Sequence, residues 1–281
     1  QLNIAVGKGA GCVITSGSNN VLIGQAAGDA ITSGSNLIAI GCGALSAEDT
    51  NTNGSIAIGQ GALALQNTTT LGNIAIGNGA GDAVTSGGES VYIGYSAGGG
   101  TTGSKNTVIG FLALTASGSG EENVVIGRDA GRNTTGSQNT IVGDAAGDAS
   151  GDGSYNTFIG KNSGSAVTDG DKNTFLGYGS GDAVTTGCCN VVIGHGADVA
   201  SATGNNQLAI GLDSNNWITG DSSYNIKPGA GILDSNGNVG TAGSVLASTG
   251  SGVCWVAAGG GGSGWSPDSQ ENLYAGTDAG Q

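Results

Sequence analysis

Asn73-Ile74-Ala75-Ile76-Gly77-Asn78-Gly79-Ala80 follows Ser55-Ile56-Ala57-Ile58-Gly59-Gln60-Gly61-Ala62 at an interval of 18 residues, and this near-identity decides how the chain is read. A Gly preceded by an aliphatic residue recurs at Gly7, Gly24, Gly41, Gly59, Gly77, Gly94, Gly110, Gly127, Gly143, Gly160, Gly177, Gly194 and Gly211, every 16 to 18 residues. A fixed short period marks a stacked-repeat architecture and outweighs any local propensity.

Each repeat has the same grammar. Directly before the Gly stands Val6, Ile23, Ile40, Ile58, Ile76, Ile93, Ile109, Ile126, Val142, Ile159, Leu176, Ile193 or Ile210. Three residues after it comes Ala, from Ala10 and Ala27 to Ala146 and Ala197, replaced by Ser at Ser163, Ser180 and Ser214. Asn or Ser usually stands four residues before the Gly, as at Asn20, Ser55, Asn106, Asn156 and Asn190, and these residues suit a turn. Polar phrases such as Thr32-Ser33-Gly34 and Thr185-Thr186-Gly187 close each repeat.

Sixteen to eighteen residues cannot hold two packed helices, and Val/Ile enrichment with Gly at the bends disfavours helix. The expected fold is all-β: a parallel β-solenoid, or β-roll, of about 13 coils. Coils stacked at about 4.8 Å would give a rod of roughly 60 Å. The residue before the Gly is expected to face inward, and the middle strand residue (Ala5, Leu22, Tyr92, Phe158, Phe175 and their equivalents) to face away from it. Both are apolar, so the strand is expected to be buried on both faces. One coil covers only one of them, which implies a homo-oligomer packed side by side. On this assignment the inward Ile126 is a position where Asp would break the stack.

Composition bounds the rest. The 281 residues include 59 Gly, 4% aromatics and no Met, which fits a thin core of small aliphatics. A net charge of −14 repels nucleic-acid phosphates and anionic lipid. No apolar run approaches the length of a membrane span, and no signal segment is read at Gln1, whose place instead of Met suggests a fragment or processed chain. The five Cys (Cys12, Cys42, Cys188, Cys189, Cys254) are odd in number and lack zinc-site spacing, and the vicinal Cys188-Cys189 reads as small residues in a turn. Residues 1–211 form the repeat shaft, 212–240 a capping transition, 241–258 a small β module and 259–270 a Gly-rich linker. Residues 271–281, with Asn272-Leu273-Tyr274-Ala275-Gly276, begin a further repeat block.

No catalytic, cofactor-binding or metal site is expected. His195 has only Asp198 nearby in sequence. Asp29, Asp82, Asp148 and Asp182 share one offset, but no two fall in adjacent coils, which excludes a continuous calcium ladder. Thr15, Thr32, Thr85, Thr102, Thr135, Thr168 and Thr185 share another, interrupted in six of thirteen coils, against a flat ice-binding face. Asn67-Thr68-Thr69 and Asn133-Thr134-Thr135 match the glycosylation pattern without a secretory context. Of the aromatics, Tyr92, Phe158 and Phe175 are expected at a seam between protomers, and Tyr95 and Tyr178 on the exposed surface.

The phrases at residues 55–62 and 73–80 resemble the head repeats of trimeric autotransporter adhesins, over residues 1–211 and with a longer interval than is usual there. That resemblance implies a trimeric β-roll. The phrase from Gly240-Thr241-Ala242-Gly243 through Gly252-Val253-Cys254-Trp255 resembles a module of marine bacteriophage tail-fibre and other virion structural proteins. Together the two imply a homotrimeric structural fibre segment on the virion surface, joined to other virion or fibre proteins, with a role in host attachment through a surface glycan or receptor. The alternatives are a bacterial trimeric surface adhesin and, further off, a solenoid polysaccharide depolymerase, which would need carboxylates clustered on one face of successive coils.

Overall fold

The computed structural model describes residues 2–47, 54–66, 72–116, 118–233, 235–240, 244–248 and 253–257. It is a parallel β-solenoid with no helix among those residues. Thirteen short strands, one per repeat, stack in chain order: β1 (Ile4–Val6), β2 (Val21–Ile23), β3 (Ile38–Ile40), β4 (Ile56–Ile58), β5 (Ile74–Ile76), β6 (Val91–Ile93), β7 (Thr107–Ile109), β8 (Val124–Ile126), β9 (Thr140–Val142), β10 (Thr157–Ile159), β11 (Thr174–Leu176), β12 (Val191–Ile193) and β13 (Leu208–Leu212). Equivalent residues pair throughout, as in Thr157↔Thr174, Phe158↔Phe175 and Ile159↔Leu176. The thirteenth repeat supplies only its strand. β13 turns back into an antiparallel β14 (Asn215–Gly220), followed by β15 (Ile226–Pro228), so Ser214 lies exposed outside the Ala/Ser column.

The repeat Gly is required twice over. From Gly7 to Gly194 its φ lies between 131° and 144°, a left-handed region that side chains avoid. A Cβ there would also come closer than 3.0 Å to the carbonyl of the matching Gly one coil further on. The coils touch backbone to backbone at this column. Next to it, the Ala three residues on donates its N–H back to the Gly carbonyl, as Ala27 does to Gly24, and is fully buried from Ala27 to Ala197. Ser163 and Ser180 take the same place, also buried, with their hydroxyls 3.0 Å apart.

The inward residue is the middle one, not the one before the Gly. Leu22, Ala39, Tyr92, Val125, Phe158, Phe175 and Val192 are fully buried within the coil, whereas their flanks are half-buried to exposed, Ile76 at 38% and Leu176 at 46%. Tyr92, Phe158 and Phe175 are thus core residues of one chain rather than seam residues, and Phe158 and Phe175 stack at 5.1 Å. Volume decides the orientation. Where the middle residue is Leu22, Tyr92, Ile141, Phe158 or Phe175, the residue four after the Gly is Gly: a Cβ on Gly98 would strike the Tyr92 ring, and one on Gly164 the Phe158 ring. Where the middle residue is Ala39 or Ala57, that place holds the buried Leu45 or Leu63, accepted at φ near 50°. In these coils volume is exchanged between the two columns, whereas Val108 and Leu114 are buried together in one coil.

The Asn column is a ladder rather than a simple turn marker. Asn156 is buried; its Nδ2 donates to the Gly170 carbonyl at 2.8 Å, closing its own coil, and its Oδ1 accepts the Asn173 N–H at 2.9 Å, joining the next. The same pair of bonds recurs at Asn20, Asn73, Asn106, Asn123, Asn139, Asn173 and Asn190. Leu37 interrupts it, and in the following coil Gln66 bridges, donating to Ser55 Oγ and accepting from Asn73 Nδ2, both at 2.9 Å.

The chain divides into two compact units at Lys227/Pro228, so residues 212–227 belong with the shaft. The second unit contains an antiparallel hairpin of β16 (Ser244–Ser248) and β17 (Val253–Ala257). The linker at 259–270 and the repeat-like phrase at 271–281 lie outside the described residues.

Two outcomes follow. Val125→Asp places an unpaired charge inside the coil and is expected to cost several kcal/mol, on the order of 3–5, in a thermal or denaturant melt, while its neighbour Ile126→Asp costs the isolated chain about 1 kcal/mol or less. Asn156→Ala removes two buried hydrogen bonds and leaves a carbonyl and an N–H unpaired, which lowers stability by roughly 2–4 kcal/mol by denaturant titration.

Candidate interaction surface

The strand face turned away from the core presents two parallel columns, one on each side of the buried middle residue. The first runs Ile4, Val21, Ile38, Ile56, Ile74, Val91, Thr107, Val124, Thr140, Thr157, Thr174, Val191, Leu208; the second runs from Val6 to Ile210. Not one of these positions carries a charge, in a chain with 21 acidic and 7 basic residues. Parallel in-register pairing makes the face a continuous ribbon along the whole shaft, and β-branched side chains keep it stiff. An uncharged strip of this length, aliphatic except at Thr107, Thr140, Thr157 and Thr174, is larger than the scattered apolar residues found on ordinary monomer surfaces.

Beside this face, the residue after each repeat Gly forms an exposed column with its own order. Tyr95 stacks on Phe111 at 5.3 Å and Tyr178 on His195 at 4.8 Å. Between these pairs Arg128 makes two 2.9 Å bonds to Asp144, which Lys161 approaches at 3.9 Å. Tyr95 and Tyr178 are exposed as expected, but each has a stacking partner, Phe111 or His195, which the sequence reading did not name. His195 Nδ1 lies 3.1 Å from Asp213 Oδ1, one coil away, rather than meeting Asp198. Exposed pairs of this kind contribute little individually.

The remaining sequence candidates resolve into structural roles. Thr15, Thr102, Thr168 and Thr185 donate their hydroxyls to carbonyls of the next coil. Cys188 Sγ accepts the Asp171 N–H at 3.3 Å, taking a slot in a ladder where Ser35 and Ser154 hydroxyls accept from Ser18 and Ser137. Cys189, exposed at φ 60°, occupies the left-handed turn position that Asn19, Lys105 and Tyr155 fill elsewhere. Asn133 donates to the Asp148 carbonyl at 2.7 Å, while Thr134 is buried; Asn67 lies outside the described residues.

Among the described residues no group of three or more His, Cys, Asp or Glu side chains converges as metal ligands would. Asp198 is raised above the usual carboxylate range by burial, opposed by the Ala183 and Val199 N–H groups that it accepts and reinforced by the neighbouring Asp182 carboxyl. Burial likewise raises Asp82 and Asp148. A cavity of about 470 Å³ lies between coil 12 and the β14 hairpin, lined by Asp198, Asp213, Asn216, Asp221 and Lys227 among others. No helix among the described residues is long and apolar enough to cross a membrane.

No protein family, no curated protein and no solved structure matches this chain.

The three raised carboxyls give the pH dependence a sign. Each binds its proton more tightly folded than unfolded, so stability falls as pH rises from the ordinary carboxylate value of 3.8 through the raised folded values. Relief of like-charge repulsion in a chain of net charge −14 acts in the same direction. The melting temperature by circular dichroism is therefore expected to rise, by at least about 2 °C, as the pH is lowered from 7 towards the ordinary carboxylate value. A monotonic fall on acidification contradicts it.

Proposed function

We propose that the chain is a structural segment of a homotrimeric fibre on a virion surface, a spacer that carries host-attachment elements rather than an enzyme. The observation that supports this best is the uncharged two-column face running the length of the shaft. A single chain has no use for such a strip in water, whereas side-by-side copies bury it. The subunit number, the virion setting and the contact with a host glycan or receptor come from the resemblance of residues 1–211 to trimeric adhesin head repeats and of residues 240–255 to phage fibre modules. The solenoid suits a spacer because each coil leans only on its neighbours, so length is set by repeat number. The columns are filled by turn chemistry, stacking and ladder bonds, and this supports a structural part over a depolymerase.

The mass of the 281-residue chain in solution tests the assembly. Light scattering is expected to give about 80 kDa, three times the 26.7 kDa of one chain. Ile76→Asp with Ile126→Asp puts two charges on the outer face and is expected to return the mass to that of one chain with the circular dichroism of the shaft retained. A wild-type chain that is monomeric at every concentration overturns the reading. Antibodies raised against the shaft that label fibres on purified particles support the virion setting, and particles free of the chain exclude it.

A further inference from the structure

Each strand of the outer face has an exposed column at either end. The leading rim lies five residues before the repeat Gly and holds Glu89, Lys105, Glu122, Gln138, Tyr155 and Lys172 in the coils of β6 to β11, all exposed at φ between 57° and 62°. The trailing rim lies directly after the Gly and holds Tyr95, Phe111, Arg128, Asp144, Lys161 and Tyr178 in the same coils, exposed except for the half-buried Asp144. These rims gather the few cations of the chain. Lys8, Lys105, Arg128, Lys161 and Lys172 stand on them, out of 7 basic residues, with only Glu89, Glu122 and Asp144 out of 21 acidic ones. The rims are therefore net basic on a chain of net charge −14.

We propose that the trailing rim of one copy of this chain packs against the leading rim of the next, each coil at the level of its equal. The inference rests on the reading that the outer face self-associates, and it adds the direction and register of the packing. Charge complementarity selects the occupant. Copies related by rotation about the rod axis set Arg128 against Glu122 and Asp144 against Gln138. The same alignment sets Lys105 against the Phe111 ring, Lys161 against Tyr155 and Lys172 against Tyr178, three cation–aromatic pairs. At no level from β1 to β12 do like charges meet. A slip of one coil destroys this match. In one direction Lys161 meets Lys172, and in the other Arg128 meets Lys105 while Asp144 meets Glu122. Exposed pairs add little affinity, which the uncharged face between the rims supplies, but they discriminate between alignments. The two strand columns vary too little from coil to coil to do so themselves.

Thiol cross-linking of the assembled full chain tests it, with Cys12→Ser, Cys42→Ser and Cys189→Ser removing the exposed native thiols. Tyr155→Cys with Lys161→Cys is expected, under mild oxidation, to join chains covalently on a non-reducing gel, through a bond between positions 155 and 161 of different chains identified by mass spectrometry. Because a disulfide forms only over a short span, replacing Lys161→Cys by Asp144→Cys or Tyr178→Cys, one coil to either side, is expected to cut the yield by at least about threefold. A yield that is highest at a displaced position, or equal at all three, overturns the inference. So does an assembly in which no pair links, the circular dichroism of the shaft being retained. That last result leaves the self-association of the face intact, whereas a chain that never assembles removes both readings.

Discussion

Backbone contact between successive coils is the constraint from which the rest of the shaft follows. At the column from Gly7 to Gly194 the carbonyl of one coil fills the space where the previous coil would carry a side chain. Each coil must therefore trace the same path as the last. Once the path repeats, the N–H and C=O groups of neighbouring coils meet in register, as when the Gly160 N–H reaches the Val142 carbonyl at 2.8 Å and the Thr157 N–H the Asn173 carbonyl at 2.8 Å. Strands of three residues would be marginal by themselves. Twelve of them, with the longer β13, share their cooperativity along one ladder.

The polar interior obeys the same repetition. An Asn is tolerable inside the coil because its amide meets two fixed backbone groups, one in its own coil and one in the next. The bond pattern explains why Asn fills most of this column and why Gln66 reaches in beside Ser55, which stands there in place of Asn and is joined through Gln66 to Asn73. Core volume is conserved in a comparable way. Tyr92 between Gly81 and Gly98, and Leu63 beside Ala57, are two solutions to one cross-section.

The period, the all-β stack, the bend at the Gly and the small residue three places on were all legible, because steric exclusion leaves a direct mark on composition. The orientation of the strand was not. With Val124, Val125 and Ile126 all apolar, alternation shows that neighbours point opposite ways but does not name the inner one. The distinguishing signal was in size. The column before the Gly is almost uniformly Ile, whereas the middle column ranges from Ala to Phe, with Gly six residues after Leu22, Tyr92, Ile141, Phe158 and Phe175 and Leu six residues after Ala39 and Ala57. A column whose size varies and is compensated by a neighbouring column marks a filled interior, and this points to the middle column as the inner one. Contacts between columns were hidden for a related reason: Tyr95 and Phe111, or His195 and Asp213, lie 16 and 18 residues apart and meet only because one coil brings the chain back.

Reversing the strand orientation leaves the case for a partner standing, and relocates it. Had the Ile column been inward, the face left over would have held Ala5, Ala39, Ala57, Tyr92 and Phe158, a mixture of heights that no flat surface could match. The actual outer face is nearly uniform in height and free of charge over its whole length. That uniformity is not needed for the coil, whose own core is already closed by the middle column, the Ala column and the residues after them. Charged residues are accommodated one position beyond the strand, where Arg128, Asp144 and Lys161 stand in successive coils, so the ladder itself does not exclude them. Their absence from the two strand columns is a property of the surface, and a long, uncharged surface on a chain of net charge −14 supports the proposal that another surface like it packs there.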